Sequence, residues 1–178
     1  MRGWGNIRIV VRKLIIFFLI STILQFSQGG EPVFEKILSI KIQVEMDDNH
    51  GEFMDLKSGY YPYTKGEFSG VAEGVLLPQG GARNLYSDSY LEGKRLIEDE
   101  IIMVLLTDSG EKIYCEALGL ILRDTDTDSN DFMHTSWRFR TASPNLAWLN
   151  TTVGIAKTRF FNEGSEYRAE HNIYRIVP

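Results

Sequence analysis

Leu38-Ser-Ile-Lys-Ile-Gln-Val-Glu-Met46 alternates at every step. Leu38, Ile40, Ile42, Val44 and Met46 share one side, and Ser39, Lys41, Gln43 and Glu45 share the other. A period of two marks a half-buried strand of an antiparallel sheet, with one face on a core and one in water. Asp47-Asp-Asn-His-Gly51 then supplies turn chemistry. Further strands are expected over residues 67–77, with Pro78-Gln-Gly-Gly81 as a stop, and over 83–90. Residues 97–107 are apolar on both faces (Ile101, Ile102, Met103, Val104, Leu105, Leu106), which predicts a covered central strand. Asp108-Ser-Gly110 reads as a tight hairpin turn into a strand over 111–122, because a glycine there supplies a positive φ. An acidic loop, 124–131, precedes strands over 134–141, 146–158 and 167–177. No stretch keeps a 3.6-residue apolar period over three turns. Eight antiparallel strands predict an all-β chain, an up-and-down barrel of about eight strands, with a two-sheet sandwich as the alternative.

The first residues read as an address. Arg8, Arg12 and Lys13 precede an apolar run from Leu14 to Phe26, and Ser27-Gln-Gly-Gly30 follows. A basic head, a short apolar run and small residues describe a secretory signal over 1–29. An uncleaved anchor is the alternative, and the run is short of the roughly 20 residues a spanning helix needs. Residues 30–178 then form a single β-barrel domain, exported to the periplasm or secreted, with membrane contact only through the signal. The chain has 178 residues and a net charge of −5. Residues 1–29 hold four basic side chains and no acidic one, so the remainder carries 15 Lys+Arg against 24 Asp+Glu. Such an acidic surface repels phosphate backbones and excludes nucleic acid as a partner. Cys115 is the only cysteine. It excludes an internal disulfide, and its place between Ile113 and Ala117 predicts a buried, inert thiol.

Most chemical motifs fail on spacing. Counted from Asp124, a calcium hand would need Gly and Glu where Ser129 and Thr135 stand. The three histidines share no metal spacing. Gly66-Glu-Phe-Ser-Gly70 is not a nucleophile elbow. No cofactor or metal is therefore expected. Two clusters remain. Trp137-Arg-Phe-Arg-Thr141 puts Arg138 and Arg140 on one face and Trp137 with Phe139 on the other. A filled interior would take the aromatic face, whereas an interior holding a polar ligand would take both arginines. Trp148-Leu-Asn150 sets an indole and a carboxamide together, as small-molecule pockets commonly do.

Gly66-x-Phe68-Ser-Gly70, Val75-Leu-Leu-Pro-x-Gly-Gly81, Thr107-Asp-Ser-Gly110, Ile113-Tyr114, Gly119, Phe139-Arg-Thr141, Trp148-Leu-Asn150 and Asn172-Ile-Tyr-Arg-Ile-Val177 occur in that order. The ordered set resembles the domain of unknown function 3237 family, also called uncharacterised protein family 0311, across residues 35–177. The resemblance implies a calycin, lipocalin-like barrel, and the family's members have no generally assigned activity. The chain departs from the family pattern at Ala82-Arg83 and in the segment between Thr141 and Trp148, which points to a different ligand.

A barrel of this size holds one small ligand or none. The expected function is binding of a small, partly aromatic or acidic molecule in the lumen. Arg140, facing inward and paired with Glu73, would anchor an acidic group. Trp148 would stack, Asn150 would orient, and Tyr114 would complete the wall. The alternative is a cofactor-independent isomerase, cyclase or lyase acting on a polyketide-like or aromatic substrate, with Glu73 as base and Arg140 on an enolate. A carboxylate beside an enclosed cavity separates the two readings. A third reading, an assembly module, covers the apolar strand 101–106 with a second copy in a homodimer.

Overall fold

The computed structural model describes residues 31–45, 51–53, 56–125, 130–163 and 166–177. The signal segment, the turn at 47–50 and half of the acidic loop lie outside the described residues. Residues Phe34–Val177 form one compact unit. Its strands are β1 (Val33–Val44), β2 (Gly51–Phe53), β3 (Leu56–Gly70), β4 (Gly74–Leu91), β5 (Lys94–Thr107), β6 (Lys112–Asp124), β7 (Asn130–Thr141), β8 (Val153–Glu163) and β9 (Glu166–Val177). Each pairs antiparallel with its neighbour in the order β1-β9-β8-β7-β6-β5-β4-β3, and β1 pairs with β3 to close the sheet. The result is an eight-stranded barrel, with β2 a short addition on β3. Closing a sheet on itself is how antiparallel sheets limit association through open edges, although β7 and β8 pair only over His134–Arg138 and Val153–Lys157.

The alternation of β1 is realised as read, with Leu38, Ile40, Ile42 and Val44 buried and Lys41 in solvent. The expected strand over 67–77 is corrected. Gly70-Val-Ala-Glu-Gly74 is the β3–β4 connection, and β3 extends back to Leu56. Gly70 has φ +137°, and a Cβ there would run into the Ile37 carbonyl oxygen, so glycine lets β1 and β3 approach closely. Pro78-Gln-Gly-Gly81 interrupts β4 without ending it. Leu77 pairs with Val104 and Gly81 with Ile102, so a bulge takes up the extra residues. The turn after Thr107 is as expected, with Gly110 at φ +86°.

The barrel is filled over half its height. Around the β5–β6 turn, Leu105, Met103, Ile113, Cys115, Phe139 and Trp137 pack with Ile37, Leu38, Ile40 and Phe68. A 3-10 helix, Ala147–Thr151, crosses that end and buries Leu149, with Leu146 beside it. This helix corrects the strand expected from residue 146, and β8 starts only at Val153. Strand β5 is also not covered on both sides. Ile101, Met103 and Leu105 are buried, but Ile102 is exposed, on an outer wall that also shows Leu118, Leu120, Val153 and Ile155.

Candidate functional site

The residues singled out in the sequence lie outside the lumen. Trp137 and Phe139 take the interior, so strand parity turns Arg138 and Arg140 outward. The Arg140 side chain is 70% exposed and stands 3.9 Å from the Glu116 carboxylate. The expectation of an inward Arg140 paired with Glu73 is thereby corrected, because an apolar interior takes the aromatic face and leaves the guanidinium in water. Glu73 is exposed in the β3–β4 connection, where its carbonyl accepts the Asp108 N–H at 2.9 Å. Tyr114 is half-buried on the outer face of β6, opposite Arg140 in register. Asn150 is a clamp. Its Oδ1 accepts the Thr141 N–H at 2.7 Å and its Nδ2 donates to the Thr141 carbonyl at 3.0 Å. Trp148 lies half-buried under the Arg175 guanidinium, 4.5 Å from the ring centre. Tyr114, Arg140 and Asn150 do border one shallow, open depression beside Ser143 and Pro144, but on the outer wall.

The lumen itself is hollow at the opposite end. Proceeding inward from the β4–β5 turn, β5 directs Arg95, Ile97, Asp99 and Ile101 into a cavity of about 230 Å³. Below Ile101 the interior is packed. Ile42, Val44, Tyr61, Tyr63 and Phe160 make the apolar wall, and Met133 and Ala169 complete it. Polar groups enter from four further strands: Tyr63 from β3, Asn84 and Tyr86 from β4, Arg123 from β6 and His171 from β9.

Three of these polar groups are unusual. Asp99 is 4% exposed. Burial pushes its carboxyl from 3.8 up to about 7, because a charge is poorly solvated there. Its cross-strand partner is Asn84, and the Oδ1 atoms of both have no hydrogen-bond partner among the described residues. Tyr63 is buried too, and its hydroxyl is pushed well above the usual phenol value by burial first and by the Asp99 charge next. His171 is 1% exposed, hydrogen-bonded through Nδ1 to Thr158 Oγ1 at 2.7 Å, with no partner for Nε2 among the described residues. Burial lowers it from 6.5 to about 3, so the ring is neutral at ordinary pH. It stands edge-on to Trp137, with ring centres 5.1 Å apart, near the floor of the cavity.

At the mouth, Arg95 and Arg123 are register partners on adjacent inward positions. The Arg95 guanidinium lies 4.9 Å from the centre of the Tyr86 ring. On the neighbouring position Lys94 donates to Asp124 Oδ2 at 3.0 Å, which fixes the rim of these two strands. The cavity therefore runs from Arg95 and Arg123 at its mouth through an aromatic wall to a carboxyl and a neutral imidazole. Chemically, such a space can hold an acid by its charged end and present its other end to a group able to carry a proton.

Sequence reasoning missed every one of these residues, although two had a signal. Asp99 interrupts the buried run Ile97, Ile101, Met103, Leu105 at the same parity, and His171 interrupts Ala169 and Ile173. A titratable side chain on the apolar side of an alternating strand is the feature to look for.

Several solved structures share the fold. A conserved protein of unknown function from Rhodopseudomonas palustris has a TM-score of 0.70 at 18% identity, covering 84% of this chain and 100% of its own. A beta-barrel like protein from Acinetobacter baumannii AYE has a TM-score of 0.60 at 22% identity, covering 84% of this chain and 100% of its own. An enzyme from Penicillium herquei has a TM-score of 0.55 at 16% identity, covering 85% of this chain and 98% of its own. No curated protein matches the chain. The family model described as "Protein of unknown function (DUF3237)" matches residues 32–176, the whole of the barrel, and the chain belongs to that family.

Proposed function

We propose that this barrel binds a small, partly apolar acid in its lumen. The observation that carries the reading is the cavity at the open end, where aromatic side chains converge with Arg95, Arg123, Asn84 and Asp99. Its volume of about 230 Å³ is just below the roughly 300–1,000 Å³ of pockets for drug-sized ligands, which suits a molecule of one ring. Arg95 and Arg123 hold the anionic end at the mouth, since guanidinium groups match carboxylates in bidentate fashion. Tyr61, Tyr63 and Phe160 enclose the apolar body. This reading keeps the ligand class expected from the sequence and moves its site from Arg140 to the opposite end of the barrel. Export belongs to the same proposal, on the basic head and apolar run of residues 1–29.

Trp137, under His171 at the cavity floor, is a built-in reporter. Titration of the barrel with benzoate, phenylacetate and phenylpyruvate is expected to change its emission saturably. Replacing Arg95 and Arg123 together by Ala should weaken that binding at least tenfold, and raised salt should weaken it in the wild type. If none of the three acids binds at millimolar concentration, or if the double variant binds as well as the wild type, the reading is wrong.

A further inference from the structure

We propose that Asp99 is a catalytic proton carrier, and that the lumen converts small enolisable acids into their tautomers or double-bond isomers. The inference rests on the lumenal reading above and adds a reaction to it. Three observations meet at Asp99. Strand β5 sets it between Ile97 and Ile101, facing the cavity one inward position above the packed core. Its Oδ1 is buried and has no hydrogen-bond partner among the described residues, so the carboxyl is not committed through that oxygen to holding the fold together. Tyr63 stands close enough to feel its charge, and supplies an O–H that burial keeps from ionising.

A carboxylate ordinarily holds a proton too weakly to return it at neutral pH, and a base works best when its pKa lies near the working pH. Burial moves Asp99 to about 7. A molecule anchored at the mouth by its carboxylate reaches inward with its carbonyl end. Asp99 takes a proton from the carbon beside that carbonyl. The C–H electron pair becomes a carbon–carbon π bond, and the carbonyl π pair moves onto oxygen. Tyr63 donates a hydrogen bond to that oxygen as its charge develops. Asp99 then returns a proton, the one it took or one exchanged with solvent, to the oxygen in a tautomerisation or to the far carbon of a conjugated system in an isomerisation. It ends as the carboxylate that began the cycle, so the step balances without oxidant, reductant or second substrate. The charged and titratable groups around it are Tyr61 and Tyr63 of β3, Tyr86 and Arg83 of β4, Arg95, Glu98 and Glu100 of its own strand, Arg123 of β6, His134 of β7 and His171 of β9. Arg83, Glu98, Glu100 and His134 lie on the outer-wall depression that Asp99 also borders.

Phenylpyruvate in D2O tests this directly, because loss of its C3 proton signal in the NMR spectrum reports proton abstraction. The wild type is expected to exchange that position at least tenfold faster than buffer, with a rate that climbs as pH passes through about 7. Asp99→Asn should fall to the buffer rate while still binding phenylpyruvate by Trp137 emission. Tyr63→Phe should lower the rate without altering the pH midpoint, and it keeps the test open if the Asn variant does not fold. Bound phenylpyruvate exchanging equally fast with wild type and Asp99→Asn would overturn the proposal and leave Asp99 a structural acid. Absence of binding would instead overturn the lumenal reading on which it rests.

Discussion

Replacing Asp99 by Asn removes an ionisable proton and almost no volume, which makes its effect on stability calculable. In the unfolded chain the carboxyl titrates near 3.8, and in the barrel it titrates near 7. The folded value is the higher one, so the folded state prefers the protonated acid. Stability is therefore complete below about pH 4 and declines as pH rises to about 7, after which it is level. The distance between the two values corresponds to about 4 kcal/mol. Asparagine carries no such penalty at any pH. The variant should match the wild type at pH 4 and exceed it by up to about 4 kcal/mol at pH 8. For a domain of this size that is roughly 8–16 °C in Tm. Urea unfolding followed by tryptophan emission at pH 4, 5, 6, 7 and 8 measures the difference, and comparing the two proteins at each pH cancels every other titrating group. A gap that does not change with pH, or a variant less stable at pH 8, would refute the assignment of a buried Asp99 that titrates near 7. A residue that costs stability and returns none in the fold is what a site retained for function looks like.

His171 has the opposite sign. Its folded value lies below its unfolded one, so its contribution is present above about 6.5 and is lost as pH falls towards 3. His171→Gln should flatten the acid limb of the stability curve measured by thermal unfolding. Gly70→Ala should cost about 2 kcal/mol or more by urea unfolding, since it strains a positive φ and drives a methyl into the Ile37 carbonyl. Asn150→Ala, which removes both bonds of the Thr141 clamp, should cost about 1–2 kcal/mol. Arg140→Ala should stay within about 0.5 kcal/mol, as an exposed pair contributes little. Neither of the last two should change ligand affinity in the fluorescence titration, and a loss of binding in either would return the site to the outer wall.

The barrel was legible because alternation is a local property. The inward set of β1 follows from period two alone, and so does the partnership of residues 97–107 and 111–122 across Asp108-Ser-Gly110. Where the chain breaks period, reading failed. Gly70 and Gly74 bracket a connection whose residues Val71 and Ala72 look like strand. Pro78-Gln-Gly-Gly81 looks like an ending, yet β4 absorbs it as a bulge. The site was harder, because a strand shows that two faces exist without saying which one is inside. Arg138 and Arg140 could be placed only by knowing that Trp137 and Phe139 fill the lumen. The converging polar groups are far apart in sequence, from Tyr63 to His171, and only closure of the sheet brings them together.

The division of the barrel into a packed half and a hollow half has a consequence for how sequence change is tolerated. Trp137, Phe139, Leu105 and the 3-10 helix with Leu149 form one interlocked plug. A truncation there leaves a void, at about 2–5 kcal/mol each. The wall around Arg95, Ile97, Arg123 and Phe160 faces space already open, so the same change there enlarges a chamber without tearing a packing contact of equal worth. Drift is thus channelled to one end of the molecule. Substitutions can reshape the open chamber in a few steps while the other end goes on specifying the same barrel.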